Sequence, residues 1–227
     1  MLALQESYVQ GVATRKVKKV TEKLCGTSFS KSLVSKLCQD LDAEIEAWRN
    51  RPLTQCYPYL IVDARYEHIR DNGRVLSKGV LTVKGISESG YREILAVDVA
   101  NTESEPTWGE LFGTLKARGL KGVLLVTSDE HKGLLKALQR HFQGVRWQHC
   151  QTHFQRNVRD LVPRSQQAAL AEGLRKVFAA DTLDEATTSV NAPIESYQDR
   201  SPKLADKLDE DMDQSALRKS RNMLRRY

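Results

Sequence analysis

The chain has 227 residues, of which 40% are hydrophobic and 28% charged, and its formal net charge is +6. No apolar run approaches the ~20 residues of a membrane span and no signal-peptide pattern opens the chain, so we expect a cytoplasmic protein with no membrane partner. The four cysteines show no CxxC pairing, which favours reduced thiols over a disulfide framework. The positive charge favours a polyanionic partner such as nucleic acid.

The first 52 residues are predicted to form a helical segment. Apolar residues recur at helical spacing in residues 2–12 and 14–24, and a third helix is predicted from a cap at Thr27 or Ser28 to Pro52. This is the outline of a helix-turn-helix, and a helical hairpin with a solvated basic face explains the spacing equally well. In the DNA-binding interpretation, the residues that contact phosphate include Arg15, Lys16, Lys18, Lys31 and Lys36.

An apolar run then leads directly into an acid, Asp63. Residues 59–66 are predicted to be a buried strand, with Pro58 before it. An unpaired carboxylate there would be costly to bury, so Asp63 should face a metal, a cation or a water-filled cleft. The alternative is a structural acid that pairs with Arg65 or lies exposed in a turn.

The remaining core elements follow in a recognisable order. Two strands are predicted at residues 75–86 and 91–99, then a helix capped near Glu103 or Ser104, and then a strand at 123–129 that ends in a second acid, Asp129. The predicted core ends with a helix at 131–141, a strand at 145–150 and a helix at 151–160. This order is that of the ribonuclease H-like α/β fold, a mixed sheet flanked by helices whose first and fourth strands are adjacent and parallel.

Adjacent strands would bring Asp63 and Asp129 together. Two close carboxylates repel unless a cation lies between them, and hard oxygen ligands suit Mg²⁺ or Mn²⁺, which support phosphoryl transfer. Asp129 has a rival role as the N-cap of the next helix. Cys150 and His153 form half of a zinc site, and a packed cysteine with a histidine that hydrogen-bonds the helix start is the favoured interpretation.

Three motifs, in this order along the chain, resemble those of the mutator-type transposases of bacterial insertion sequences. The likeness runs from about Leu2 to about Phe178 and includes the segments at residues 8–17 and 25–32. Its motifs are Asp63-Ala64-Arg65, Ser128-Asp129-Glu130-His131-Lys132-Gly133-Leu134, and a Cys-x-x-His signature at Cys150 and His153 within Trp147-Gln148-His149-Cys150-Gln151-Thr152-His153-Phe154-Gln155-Arg156-Asn157-Val158.

The resemblance implies a DDE transposase with a ribonuclease H-like catalytic domain. Such an enzyme binds the terminal repeats of its transposable element and target DNA, self-associates, and uses Mg²⁺ for strand cleavage and transfer in DNA recombination. Asp63 and Asp129 would be its metal-binding aspartates. The resemblance implies three regions: a helical DNA-binding segment at 1–52, a catalytic core at 53–162 and a helical insertion remnant at 163–227. We expect it to lie in the cytoplasm, associated with the nucleoid.

The chain departs from the family pattern at the third acid. The family's glutamate lies in a segment of the form Thr-Thr-Asn-x-x-Glu-Arg, and the nearest match here has Arg225 at that position, where a guanidinium cannot ligate Mg²⁺. We therefore expect a truncated or decayed copy, with a tail from Asp181 onward, including the densely charged residues 206–213, that is a poorly packed helical remnant or a disordered end. Two alternatives remain, a catalytically inactive DNA-binding remnant and a Mg²⁺-dependent nuclease of the same fold. Substitute acids without a motif are Glu172, Glu185, Glu195 and Glu210.

Overall fold

The computed structural model describes residues 31–71, 73–180, 197 and 201–214. The chain divides into two compact units, residues 1–52 and 53–227. In the first unit, helix α1 (Lys31–Asn50) confirms the predicted third helix from Lys31 onward. Its predicted cap, the two helices before it and the helix-turn-helix itself lie outside the described residues. Within the described ranges, no helix combines the length and the apolar character needed to cross a membrane.

The second unit contains every strand and helix predicted between residues 59 and 160. In chain order its elements are β1 (Tyr59–Asp71), β2 (Arg74–Ile86), β3 (Arg92–Ala100), α2 (Glu105–Ala117), β4 (Leu125–Ser128), α3 (Lys132–His141), β5 (Arg146–His149), α4 (Gln151–Arg159), α5 (Arg164–Ala179) and α6 (Pro202–Gln214).

The five strands form one mixed sheet in the order β3-β2-β1-β4-β5. Strands β1, β2 and β3 are antiparallel neighbours, whereas β4 runs parallel to β1 and β5 parallel to β4. This topology confirms the predicted ribonuclease H-like arrangement. Ile61 pairs with Thr127, so Asp63 and Asp129 each follow the last β1–β4 pair by two residues, at the same end of the two strands.

Strand β1 is longer than the sequence predicted. The predicted end near Tyr66 is wrong, because β1 and β2 remain paired as far as Asp71 and Arg74. Gly73 adopts a φ of 79° in the turn between them, a conformation that a glycine adopts without strain. Cross-strand pairing thus extends the hairpin beyond β4, which pairs with β1 only at residues 59–61.

Helices α2 and α3 pack on one face of the sheet. Ser104 caps α2 by accepting a hydrogen bond from the Thr107 N–H at 3.4 Å, which contributes about 1 kcal/mol in typical helices. Trp108 and Phe112 are fully buried with ring centroids 5.8 Å apart. Truncating such a tryptophan to alanine costs about 3–5 kcal/mol. The core therefore anchors β1 and β4 firmly beneath the loops that follow them. It includes the residues Leu60, Val62, Leu81, Val83, Leu95, Leu115, Val126, Leu134 and Leu138.

Helices α4, α5 and α6 form a second apolar cluster. Leu204 and Leu208 of α6 are buried to within 1% exposure, against a surface that includes Phe154 and Val158 of α4. The prediction of a poorly packed tail is therefore wrong for the first two turns of α6. Their leucines, four residues apart, lie on one face of a helix that also carries many charged residues. Arg225, Glu185, Glu195 and the side chain of Glu210 lie outside the described residues.

Candidate active site

A cleft of about 410 Å³ opens where β1 and β4 end, and both predicted aspartates line it. The strands deliver Asp63 and Asp129 to the same edge, and α4 crosses that edge with His153 and Arg156. Glu103, in the loop before α2, is a further carboxylate in the lining. Acidic and basic groups therefore meet at one edge of the sheet, in a space large enough for solvent and a phosphate group.

Asp129 is held by several neighbours. Its Oδ1 accepts a hydrogen bond from the backbone N–H of Glu130 at 2.8 Å and lies 3.3 Å from His149 Nε2 and 3.5 Å from Asn157 Nδ2. Arg156 Nη2 lies 4.0 Å from its Oδ2. These contacts come from the loop itself, from β5 and from α4, so the carboxylate has a fixed orientation.

The electrostatic result is an ionised Asp129. Partial burial raises its pKa, but the Glu130 N–H, the charge of His153 and the hydrogen bond and charge of His149 together lower the pKa below its usual value. The rival role as a helix cap is wrong, because His131 occupies the N-cap of α3 and makes no side-chain capping hydrogen bond. Asp129 is thus poised to bind a cation.

Asp63 is more open. Its side chain is 51% exposed, and its Oδ1 lies 3.7 Å from His153 Nε2. The alternative pairing with Arg65 is wrong, because the Arg65 Nε lies 2.7 Å from Glu67 Oε1. Asp63 therefore faces the solvent-filled cleft, as the sequence predicted.

The two residues of the Cys-x-x-His motif, Cys150 and His153, have different roles. Cys150 is the N-cap of α4, its backbone N–H donates to the Ser128 carbonyl at 2.7 Å, and its free thiol is half-buried. The predicted hydrogen bond from His153 to the helix start is wrong. The ring instead directs Nε2 at Asp63, and Nδ1 is buried with no hydrogen-bond partner in the described part of the chain. Residues 31–71, 73–180 and 201–208 contain no cluster of three His, Cys, Asp or Glu suited to a metal, which leaves the zinc interpretation without support.

Comparison with known proteins gives the family. A family model described as "Transposase, Mutator family" matches residues 1–217. The chain belongs to the Mutator family of transposases. This confirms the resemblance that its three motifs indicated.

Curated relatives of this Mutator-family chain are insertion-sequence transposases. It is 42% identical over 201 residues to the transposase for insertion sequence element IS256 in transposon Tn4001 of Staphylococcus aureus, covering 88% of this chain and 52% of that one. It is 34% identical to the transposase for IS1081 of Mycobacterium tuberculosis, covering 89% of this chain and 49% of that one. The chain spans about half the length of these relatives.

Among solved structures, the chain is similar to a chain of the Drosophila P element transposase strand transfer complex. The TM-score is 0.41 at 14% identity, and the match covers 67% of this chain and 41% of that one.

Several site residues of this Mutator-family unit were missed by the sequence reasoning. The Glu103 carboxylate accepts a hydrogen bond from Trp108 Nε1 at 3.3 Å and lies 3.4 Å from His131 Nδ1, near the starts of α2 and α3. Lys207 of α6 forms an ion pair with Glu130 at 2.5 Å. A signal existed for His149, which ends a strand parallel to β4 and so must lie near Asp129. None existed for Lys207, which lies 77 residues along the chain from its partner.

Other predicted residues lie apart from the cleft or outside the described part. Lys36 is exposed on α1 in the other unit. Arg15, Lys16, Lys18 and the side chain of Lys31 are not among the described positions. Glu172, one of the substitute acids, is 66% exposed on α5 beside Lys176. It does not line the cleft.

The donor set of the cleft fits a hard divalent cation. Magnesium in proteins is commonly held by one or two carboxylates, with waters and substrate phosphate oxygens completing the shell. Asp63 and Asp129 provide that pair, one open to solvent and one kept ionised. The fit rests on the two aspartates, since Glu103 is 14% exposed and already engaged by Trp108 and His131.

Proposed function

We propose that this chain carries the catalytic unit of an insertion-sequence transposase that cuts and joins DNA strands. The observation that carries the proposal is the pair Asp63 and Asp129, brought to one cleft by adjacent parallel strands. Membership of the Mutator family gives that pair its chemical context. The substrates are the terminal repeats of the element and a target duplex, and the protein self-associates to hold two ends.

In this proposal Asp63 and Asp129 would hold Mg²⁺ or Mn²⁺, and the ion would supply positive charge for the phosphoryl oxygens during strand cleavage. The protein's own groups prepare the site. The Glu130 N–H and His149 orient Asp129 and keep it ionised. Arg156, whose side chain is 64% exposed at the cleft, is placed to contact a phosphate oxygen of the DNA.

The test is Mg²⁺-dependent nicking of a duplex that carries the repeats flanking the reading frame. Asp63→Asn and Asp129→Asn each remove one charge from the pair, and we expect each to lower the cleavage rate by about a thousandfold, equivalent to about 4 kcal/mol. Asp160→Asn, at an exposed position after α4, is the matched control and should cleave normally. Calorimetric titration with Mn²⁺ should show weaker binding by the two cleft variants, independent of turnover.

The outcomes separate the candidate functions. Cleavage at the normal rate by Asp63→Asn would sink the proposal. Salt-sensitive duplex binding without cleavage by the unaltered chain would favour the inactive DNA-binding remnant. Cleavage without any joining of a 3′-hydroxyl to target DNA would favour the nuclease.

A further inference from the structure

The segment from α3 to α4 carries basic residues and no acidic ones. Between His131 and Arg159 the chain has no Asp or Glu, although 29 of its 227 residues are acidic. All of the lysines and arginines of this segment are exposed, namely Lys132, Lys136, Arg140, Arg146, Arg156 and Arg159. The exposed charge contributed by this segment is therefore entirely positive.

Three of these cations form a line along α3, which we call the basic stripe. Lys132, Lys136 and Arg140 are spaced four residues apart, so they lie on one side of the helix, while Leu134 and Leu138 are buried on the other. The stripe is about 12 Å long at 1.5 Å per residue. It starts three residues after Asp129, next to the cleft.

The far end of the stripe is also positive. Arg140 lines a hollow of about 440 Å³ together with Lys116, Lys121 and His141, and no acidic residue is in that lining. Burial lowers the pKa of His141, and the nearby charges of Lys116 and Arg140 lower the pKa further, which reports a positive potential there. The cationic surface thus continues beyond the helix, away from the cleft.

Helix stability does not explain the stripe. Like charges four residues apart repel, and Lys132 places a positive charge in the first turn, where the helix dipole disfavours it. No acidic residue stands in the first turn of α3. Across the described part of the chain, no carboxylate forms an ion pair with Lys132, Lys136 or Arg140. Arg140 lies in the last turn, where the helix dipole favours a cation, so only the position of Lys132 and the mutual repulsion of the three cations oppose the helix. A row of exposed cations attracts a polyanion.

We propose that the basic stripe binds the phosphate backbone of duplex DNA and guides it from the active-site cleft along α3. This inference rests on the proposed function, because it takes DNA as the substrate of the cleft. A length of about 12 Å matches three to four base-pair steps at 3.4 Å. Phosphate contacts carry no base sequence, so the stripe holds duplex of any sequence.

The experiment measures binding in the absence of catalysis. The full chain, in EDTA, is titrated against a fluorescent 30-base-pair duplex of arbitrary sequence at several salt concentrations. The test variant is Lys132→Gln/Lys136→Gln/Arg140→Gln, and Lys136→Gln alone is a milder second variant. The matched control, Lys84→Gln/Arg92→Gln/Arg175→Gln, removes the same charge from exposed positions on β2, β3 and α5.

The triple stripe variant should bind at least about tenfold more weakly at 100 mM salt, with a salt slope shallower by about 2 to 3. Lys136→Gln alone should reduce the slope by about 1. Equal losses in the stripe variant and the matched control would show a net-charge effect and overturn the proposal. Unchanged binding by both stripe variants would also overturn it.

The result can be separated from the proposed function. Nicking in Mg²⁺ and duplex binding in EDTA are measured separately, because binding in EDTA needs no metal. If the unaltered chain never nicks DNA but the stripe effect is present, the strand-transfer function fails and the stripe stands. If nicking is normal and the stripe variants bind normally, the stripe proposal fails and the strand-transfer function stands.

Discussion

Asp63 and Asp129 line the same cleft, yet their surroundings differ. Asp129 is 37% exposed and fixed by the Glu130 N–H, with His149, Asn157 and Arg156 around it. Asp63 is 51% exposed, and its carboxylate lies 3.7 Å from His153 Nε2. One carboxylate is positioned before any cation or substrate arrives, whereas the other keeps rotational freedom.

The difference follows from where each strand ends. Strand β4 is short and ends at Ser128, so Asp129 begins the loop to α3, where β5 and α4 supply partners. Asp63 lies within β1, which continues for eight more residues, so its backbone is fixed by strand pairing while its side chain projects into the cleft. Sheet pairing fixes the backbone of Asp63, and hydrogen bonds and ion pairs fix the side chain of Asp129. Removing contacts should therefore affect the two aspartates differently.

Among the residues that contact the two aspartates, the largest expected effect comes from His153, whose Nε2 lies 3.7 Å from Asp63 Oδ1. His153→Phe keeps much of the ring volume and removes the polar contact, and loss of such a supporting group typically lowers metal affinity or activity about 10- to 100-fold. His149→Phe should lower cleavage less, by about 3- to 10-fold, because Asp129 keeps its other contacts. The measurement is the cleavage rate at saturating Mg²⁺ together with Mn²⁺ affinity. A larger loss from His149→Phe would show that Asp63 does not depend on its histidine.

A smaller loss of cleavage rate should follow substitution of Lys207, which acts on Asp129 and not on Asp63. Lys207 pairs with Glu130, and the Glu130 N–H holds Asp129. We expect Lys207→Met to lower cleavage by several-fold and to change the free energy of unfolding by less than about 1 kcal/mol, because the ion pair is partly exposed.

A double-mutant cycle provides the control for Lys207. Glu130→Gln in the Lys207→Met background should add little, since the pair is already broken, and Lys207→Arg should restore most of the rate. Additive losses from Lys207→Met and Glu130→Gln would mean that α6 does not act on Asp129 through this ion pair.

The sequence predicted the strands that carry the two aspartates better than it predicted the side chains that contact them. Apolar runs that end in Asp63 and Asp129 indicate strands and their edge, and strand order follows from the sequence of elements, so the sheet and the shared cleft were predictable. The partners of Asp129 come from β5, α4 and α6, and those contacts exist only after packing. His153 illustrates the limit, since its helix position was predicted and the direction of its ring was not.

The packing of α6 was missed for a physical reason. Leu204 and Leu208 are separated by charged residues in a dense run, and that composition is typical of a solvated or disordered segment. Two leucines one turn apart are enough to bury one face of α6 once α4 and α5 present an apolar surface. The surface belongs to other elements, so nothing within the run reveals it.

The smallest expected effect is a pH dependence of stability that distinguishes Asp129. The pKa of Asp129 in the folded state lies below its usual value, so the ionised carboxylate stabilises the folded state at pH values above the ordinary pKa of an aspartate. This contribution is lost as the pH falls through the lower, folded-state pKa. Urea unfolding of the unaltered chain and of Asp129→Asn should therefore show the unaltered chain gaining stability relative to the variant between pH 3 and pH 6. An m-value that stays constant over this range is the control for two-state unfolding. A difference that is independent of pH would mean that the contacts of Asp129 do not favour its charged form, and that the contrast between the two aspartates is one of position alone.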